Sequence, residues 1–217
     1  MISKKKDSPI CEIFINGERI KQVETFKYLG SWFTSDAKSE TDIKTKIGMA
    51  KTAFAALKHI LTNRHITMKT KIRVLECYVW PVMLYGAETW TISKAMKKTL
   101  EAAEMWFLRK MMKISWTEKK TNELVLEMAG TQRKLMSTIC KRQLQVFGHI
   151  MRKNGIENLV TTGKVEGKRS RGRQRMTYIS SLLTDLKGVT SELELIQSTN
   201  NREKWKSIVV NVEIHDT

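Results

Sequence analysis

From Ile43 onward the apolar side chains recur at helical spacing, and that pattern decides most of what this chain can fold into. Ile43, Ile47, Ala50, Phe54, Leu57 and Leu61 stand four, three, four, three and four apart. A helical turn takes about 3.6 residues, so such a stripe makes one side of a helix apolar. The pattern returns in Met68, Ile72, Leu75, Val79 and Val82, and again in Met96, Leu100, Ala103, Phe107, Met111 and Ile114. A further stripe holds Leu135, Ile139, Val146 and Ile150, widened by Met136, Cys140, Leu144, Phe147 and Met151. Cys140 is expected in the core and His149 at its boundary. Start and stop residues fit these helices. Ser39-Glu40, Thr67 and Ser93 are helix starters, Thr121-Asn122-Glu123 begins a short helix that Gly130 ends, and Pro81 should kink or restart the helix that contains it.

Before Ser35 the chain reads differently. Ile10–Ile15 is a short β-like run, Asn16-Gly17 is a strong hairpin-turn signal, and Arg19–Val23 is the return strand. Phe26–Thr34 reads as a third strand, so a small three-stranded sheet is expected. The fold class is therefore mainly α: a small N-terminal antiparallel β-hairpin sheet, a helical bundle and a helical tail. The regions are expected at 1–37 (sheet), 38–153 (helical body), 154–175 (basic flexible loop) and 176–217 (tail). Tail helices are expected near 177–187, 191–197 and 201–210, with Trp205 as an anchor. Trp90, Trp106 and Trp116 are expected in the core, as large aromatics at helical spacing usually are.

Charge bears on function. The chain carries 39 Lys and Arg against 22 Asp and Glu, a net +17. Residues 131–175 alone hold 12 basic and 2 acidic residues. Such concentration points to a polyanionic partner. Lys134, Lys141, Arg142 and Arg152 lie on the helix that opens this stretch, and Lys164, Lys168, Arg169, Arg171, Arg173 and Arg175 in the glycine-broken segment after it. Lys44, Lys51 and Lys58, seven apart, mark a basic face on the first helix, and Lys94, Lys97, Lys98, Arg109, Lys110 and Lys113 another on the third. Those of the first helix, of the helix opening 131–175 and of the segment after it are the candidate contacts to nucleic acid, whether RNA, DNA or hybrid duplex, without sequence preference.

Other chemistry is not visible. Three widely spaced cysteines argue for reduced thiols, in the nucleus or cytoplasm rather than outside the cell. The four histidines stand at no zinc-ligand spacing from a cysteine pair, and no apolar run is long enough for a bilayer. No metal, cofactor or membrane partner is expected. There is no phosphate-cradling glycine loop and no nucleophile elbow. The five aspartates form no neighbouring pair that could hold two metal ions, so no catalytic residue is assigned. Glu101 and Glu104, among lysines, read as intrahelical ion-pair partners.

Several segments, in order, resemble one family. The hairpin Ile13–Glu18 leading into Phe26-Lys27-Tyr28-Leu29-Gly30, then Lys46–Lys51, Tyr85-Gly86-Ala87-Glu88-Thr89-Trp90-Thr91, Glu104–Met111, Arg142–His149 and Gly163–Gln174 are similar to non-LTR (LINE-type) retrotransposon reverse transcriptases. The likeness runs over nearly the whole chain and falls on the part that follows the catalytic palm hairpin. It implies a parent with an endonuclease and an RNA-directed DNA polymerase. It also implies that residues 1–37 are the end of the palm, that Phe26, Tyr28, Leu29 and Gly30 lie near the primer grip, and that 38–153 is thumb-like. The family's metal-binding aspartate pair has no counterpart in this sequence, and neither does the zinc knuckle of some relatives. The resemblance thus implies a nucleic-acid-binding, non-catalytic portion. Two other expectations stand beside it: a helical protein-interaction module retained by a host, and an incomplete gene model of an active polymerase.

Overall fold

The computed structural model describes residues 12–153, 155–163, 177–184, 186 and 191–212. The class is mainly α, with antiparallel hairpins at the N-terminus, as expected. The first hairpin pairs β1 (Phe14–Ile15) with β2 (Glu18–Arg19) around the Asn16-Gly17 turn. The expected third strand is instead a second hairpin, β3 (Thr25–Tyr28) with β4 (Ser31–Thr34), and the two hairpins form separate two-stranded sheets. The reason lies in Leu29 and Gly30. Both take positive φ, 47° and 82°, which reverses the chain in a two-residue turn. Glycine adopts this backbone without strain; leucine does not.

The helices follow the apolar stripes closely. They are α1 (Glu40–Ala56), α2 (Lys58–Leu61), α3 (Met68–Val74), α4 (Trp80–Met83), α5 (Lys94–Met111), α6 (Asn122–Ala129), α7 (Leu135–Met151), α8 (Ile156–Thr161), α9 (Tyr178–Thr184), α10 (Glu192–Ser198) and α11 (Arg202–Val210). Thr67, Ser93, Thr121, Ser191 and Asn201 each accept a backbone N–H at a helix start. Between α3 and α4 the chain widens into a π-helical turn, Leu75–Val79. Pro81 explains it: proline has no N–H for the Cys77 carbonyl and its ring crowds that oxygen, so the helix loosens before it restarts.

Two departures concern boundaries. Residues 154–175 are not all loop, because Ile156–Thr161 form α8. Ile156, Leu159 and Val160 repeat at three and one, a short helical pattern hidden in a charge-rich stretch, and the Asn158 amide donates to the Ile150 and Met151 carbonyls. Residues 164–175, with Lys164, Lys168, Arg169, Arg171, Arg173 and Arg175, lie outside the described residues. The helical body 38–153 also divides. One compact unit runs through Gly86 and includes Ile92–Thr131; the other joins Ala87–Thr91 to Gln132 and the residues after it.

In the first unit the inward stripe of α1 is buried as expected, and Phe54 packs against Trp106 and Phe107 of α5, with ring centroids 5.7 and 5.4 Å apart. In the second, Cys140, Leu144, Phe147 and Met151 of α7 form a core with Leu182, Leu195, Trp205 and Val209. Phe147 and Trp205 stand 5.9 Å apart. Gly148 makes this approach possible, for any Cβ there would fall inside the Trp205 indole. Val146, expected inward, is exposed, because the buried arc of α7 is centred on Ile139, Gln143 and Phe147.

Candidate nucleic-acid interface

The motif residues first show what they are tied to. In the first unit Lys46 of α1 is buried and donates from Nζ to the Gly30 carbonyl at 2.8 Å, while lying 4.5 Å from the Tyr85 ring centroid. Asp42, one turn earlier, accepts the Trp32 backbone N–H at 2.9 Å. Two buried ionisable side chains thus clamp the β3–β4 hairpin to α1, with their polar atoms satisfied as burial demands. The Leu29-Gly30 turn and Tyr85, far apart in sequence, meet there: a Cβ on Gly30 would lie 3.3 Å from Tyr85 Cε1. Of the primer-grip-like residues, Gly30 is half-buried in this clamp. Phe26, Tyr28 and Leu29 are exposed, Leu29 by 72%. Phe26 and Tyr28 stack on the hairpin surface, 6.5 Å between centroids.

In the second unit the rest of the same motif is held from α7. Gln143 is buried and its amide donates to the Ala87 and Trp90 carbonyls at 3.2 and 2.9 Å. Tyr178 donates to the Glu88 carbonyl at 3.0 Å. Burial, with Cys140 and Glu88 nearby, pushes the Tyr178 phenol well above its ordinary range. Arg142 pairs with Glu88 at 3.9 Å, a partly exposed contact of small energetic weight. Arg152 donates to the Thr199 carbonyl at 3.1 Å. Two of the four expected α7 contacts, Arg142 and Arg152, are therefore engaged within the fold. Lys134 is exposed and Lys141 half-buried.

The lysine faces of the first unit are brought together. Lys44, Lys51 and Lys58 are all exposed. Lys51 of α1 and Lys110 of α5 lie over the same Trp106 ring, 5.1 and 5.8 Å from its centroid. The basic faces of two helices thus adjoin across one half-buried indole. Arg109 beside them donates to the Lys120 carbonyl and to Asn122 Oδ1, at 2.8 and 3.1 Å, fastening the start of α6. Trp116 departs from expectation. It is 85% exposed, with Arg109 at 5.8 Å from its ring centroid. It sits on a short 3₁₀ turn, Trp116–Glu118, capped reciprocally by Ser115 and Glu118, so it continues no helical stripe. Trp90 is buried and Trp106 half-buried. Glu104 is buried on α5 rather than displayed among the lysines.

Among the described residues, no group of three or more His, Cys, Asp or Glu side chains gathers in a metal-binding arrangement. No described helix is long and apolar enough to cross a membrane.

The chain is 23% identical over 203 residues to an uncharacterised transposon-derived protein of Caenorhabditis elegans, covering 88% of this chain and 72% of that one. No family model matches. No solved structure matches.

Proposed function

We propose that this chain corresponds to the end of the palm, the thumb and the C-terminal region of a non-LTR retrotransposon reverse transcriptase, and that it binds nucleic acid through phosphates without a polymerase centre of its own. The observation that carries the binding is the meeting of two lysine faces at Trp106, with exposed Lys44, Lys51 and Lys58 on one side and Lys110 on the other. Aligned cations on helix faces suit contact with a phosphate backbone, which positions a duplex without reading its bases. Exposed Trp116 adds a flat surface on which an unpaired base can stack. The polymerase origin is supported by the ordered motifs and by similarity to a transposon-derived protein.

Fluorescence anisotropy with labelled RNA–DNA hybrid, duplex DNA and unrelated sequences tests the binding. Comparable affinities across sequences are expected, and no binding at low salt refutes it. Incubation with a primed RNA template, nucleotides and magnesium tests the rest. No primer extension is expected, and extension by protein cleared of contaminating polymerases refutes that part.

One observation favours a second reading, a protein-interaction module. Phe14, Ile15, Phe26, Tyr28, Leu29 and Phe33 are all exposed on the hairpins. Apolar surface of this kind is usually covered by a partner. Retention of nucleic-acid binding after their replacement by serine separates the two readings.

A further inference from the structure

Within the second unit, α7 and α11 line an open cleft of about 480 Å³. Its rim is cationic. Arg152 follows the end of α7, Arg202 and Lys206 stand on α11, His149 lies beside them, and among the described residues no acidic side chain lines it. The Arg152 bond to the Thr199 carbonyl holds one arm of that guanidinium in place at the lip. Buried Trp205 and Val209 form its apolar floor, flanked by exposed Val210 and by the amide of Gln145. Charge counted along the sequence hides this site, because residues 176–217 carry more acidic than basic residues. Helical spacing places Arg202 and Lys206 on one face, one turn apart.

We propose that this cleft takes one unpaired nucleotide of a single strand, the base on the apolar floor and the flanking phosphates on Arg152, Arg202 and Lys206. The inference rests on the nucleic-acid reading above and names a site for it. The volume is that of a small-molecule pocket. In a duplex the bases are stacked and only the backbone is presented. A recess with an apolar floor and a cationic rim therefore suits an extruded or single-stranded base. Gln145 and His149 can offer hydrogen bonds to its edge.

Two variants of the full chain test this. Arg202→Ala with Lys206→Ala removes rim charge from exposed positions. Gln145→Trp fills the cleft without changing charge. The probes are an oligothymidine of about eight nucleotides carrying one 4-thiothymidine, and a blunt duplex. Both variants are expected to lose about tenfold in affinity for the single strand and to stay within about twofold for duplex. Irradiation of the unmodified protein should crosslink the probe to residues 145–152 or 202–210. Single-strand affinity unchanged in both variants, equal losses for duplex, or crosslinks confined to other segments overturn the cleft while leaving the broader reading intact. Absence of binding to either probe by the unmodified protein overturns both.

Discussion

The two compact units differ in how much of their aromatic and basic surface they display. In the second, aromatics point inward: Phe147 and Trp205 face each other in the core, and Tyr178 fastens the Glu88 carbonyl. Its arginines are partly occupied, Arg142 with Glu88 and Arg152 with Thr199. In the first, Phe54 and Phe107 are buried too, but Phe26, Tyr28 and Trp116 stand in solvent, and Lys44, Lys51 and Lys58 lie open while Lys46 is buried. The contrast teaches that charge density along the chain is a poor guide to which cations a polyanion can reach. Among the described residues of the basic stretch 131–175, Arg142 and Arg152 are tied into the fold, whereas Lys44, Lys51 and Lys58 are exposed.

The contrast breaks first at Phe147. Phe147→Ala should cost about 3–5 kcal/mol, because it opens a cavity in a closed core. Urea unfolding followed by circular dichroism measures it, and a loss below 1 kcal/mol would mean that the core is not packed around this ring. Gly148→Ala should come next, at about 1–3 kcal/mol, since the added methyl must displace the indole of Trp205. Thermal melting of the same series checks the order.

Alkaline titration should separate the units by sign. The phenol of Tyr178 is raised above the usual 10.0, so its contribution is complete below that pH and is lost as pH rises further. Lys71 in the first unit is shifted the other way, down from 10.5, by burial and then by Lys113. Its contribution therefore grows as pH climbs towards 10.5. Tyr178→Phe should accordingly reduce the loss of stability above pH 10. Lys71→Met should raise stability at neutral pH slightly and flatten the rise beyond it. Urea midpoints at neutral and alkaline pH test both signs. The smallest effect is expected on the hairpin surface: Phe26→Ser should change stability by less than about 0.5 kcal/mol. A larger loss in the same assay would mean that the exposed ring is part of a core.

Most of the helical fold could be read from residues alone. The stripes of α1, α5 and α7 repeat over four or more turns, and capping side chains mark where several helices start. Leu29 could not announce a turn, because leucine at positive φ is held there by Gly30 and by the Lys46 clamp rather than by its own preference. Trp116 misled because its spacing from Trp106 suggested a continuing stripe, whereas the chain leaves α5 at Met112 and turns. The candidate interface was legible only in part. Lysines seven apart predict a shared face, but nothing local says that Lys51 and Lys110 flank one indole. Arg202 and Lys206 were hidden because the acidic residues of 176–217 outnumber the basic ones in a count along the sequence. The binding of Gln143 to two carbonyls of 87–91 joins segments too distant in sequence for periodicity to link.

The most direct test is the salt dependence of binding to a blunt RNA–DNA hybrid, for the unmodified chain and for a Lys44→Ala, Lys51→Ala, Lys58→Ala variant. If roughly six phosphates are neutralised, affinity should fall by about 10³ between about 50 and 200 mM salt. The triple variant should flatten the log–log slope by up to about 3, and by the same amount for every sequence tried. A slope near zero for the unmodified chain, or an identical slope in the variant, would contradict a phosphate-binding lysine face on the first unit.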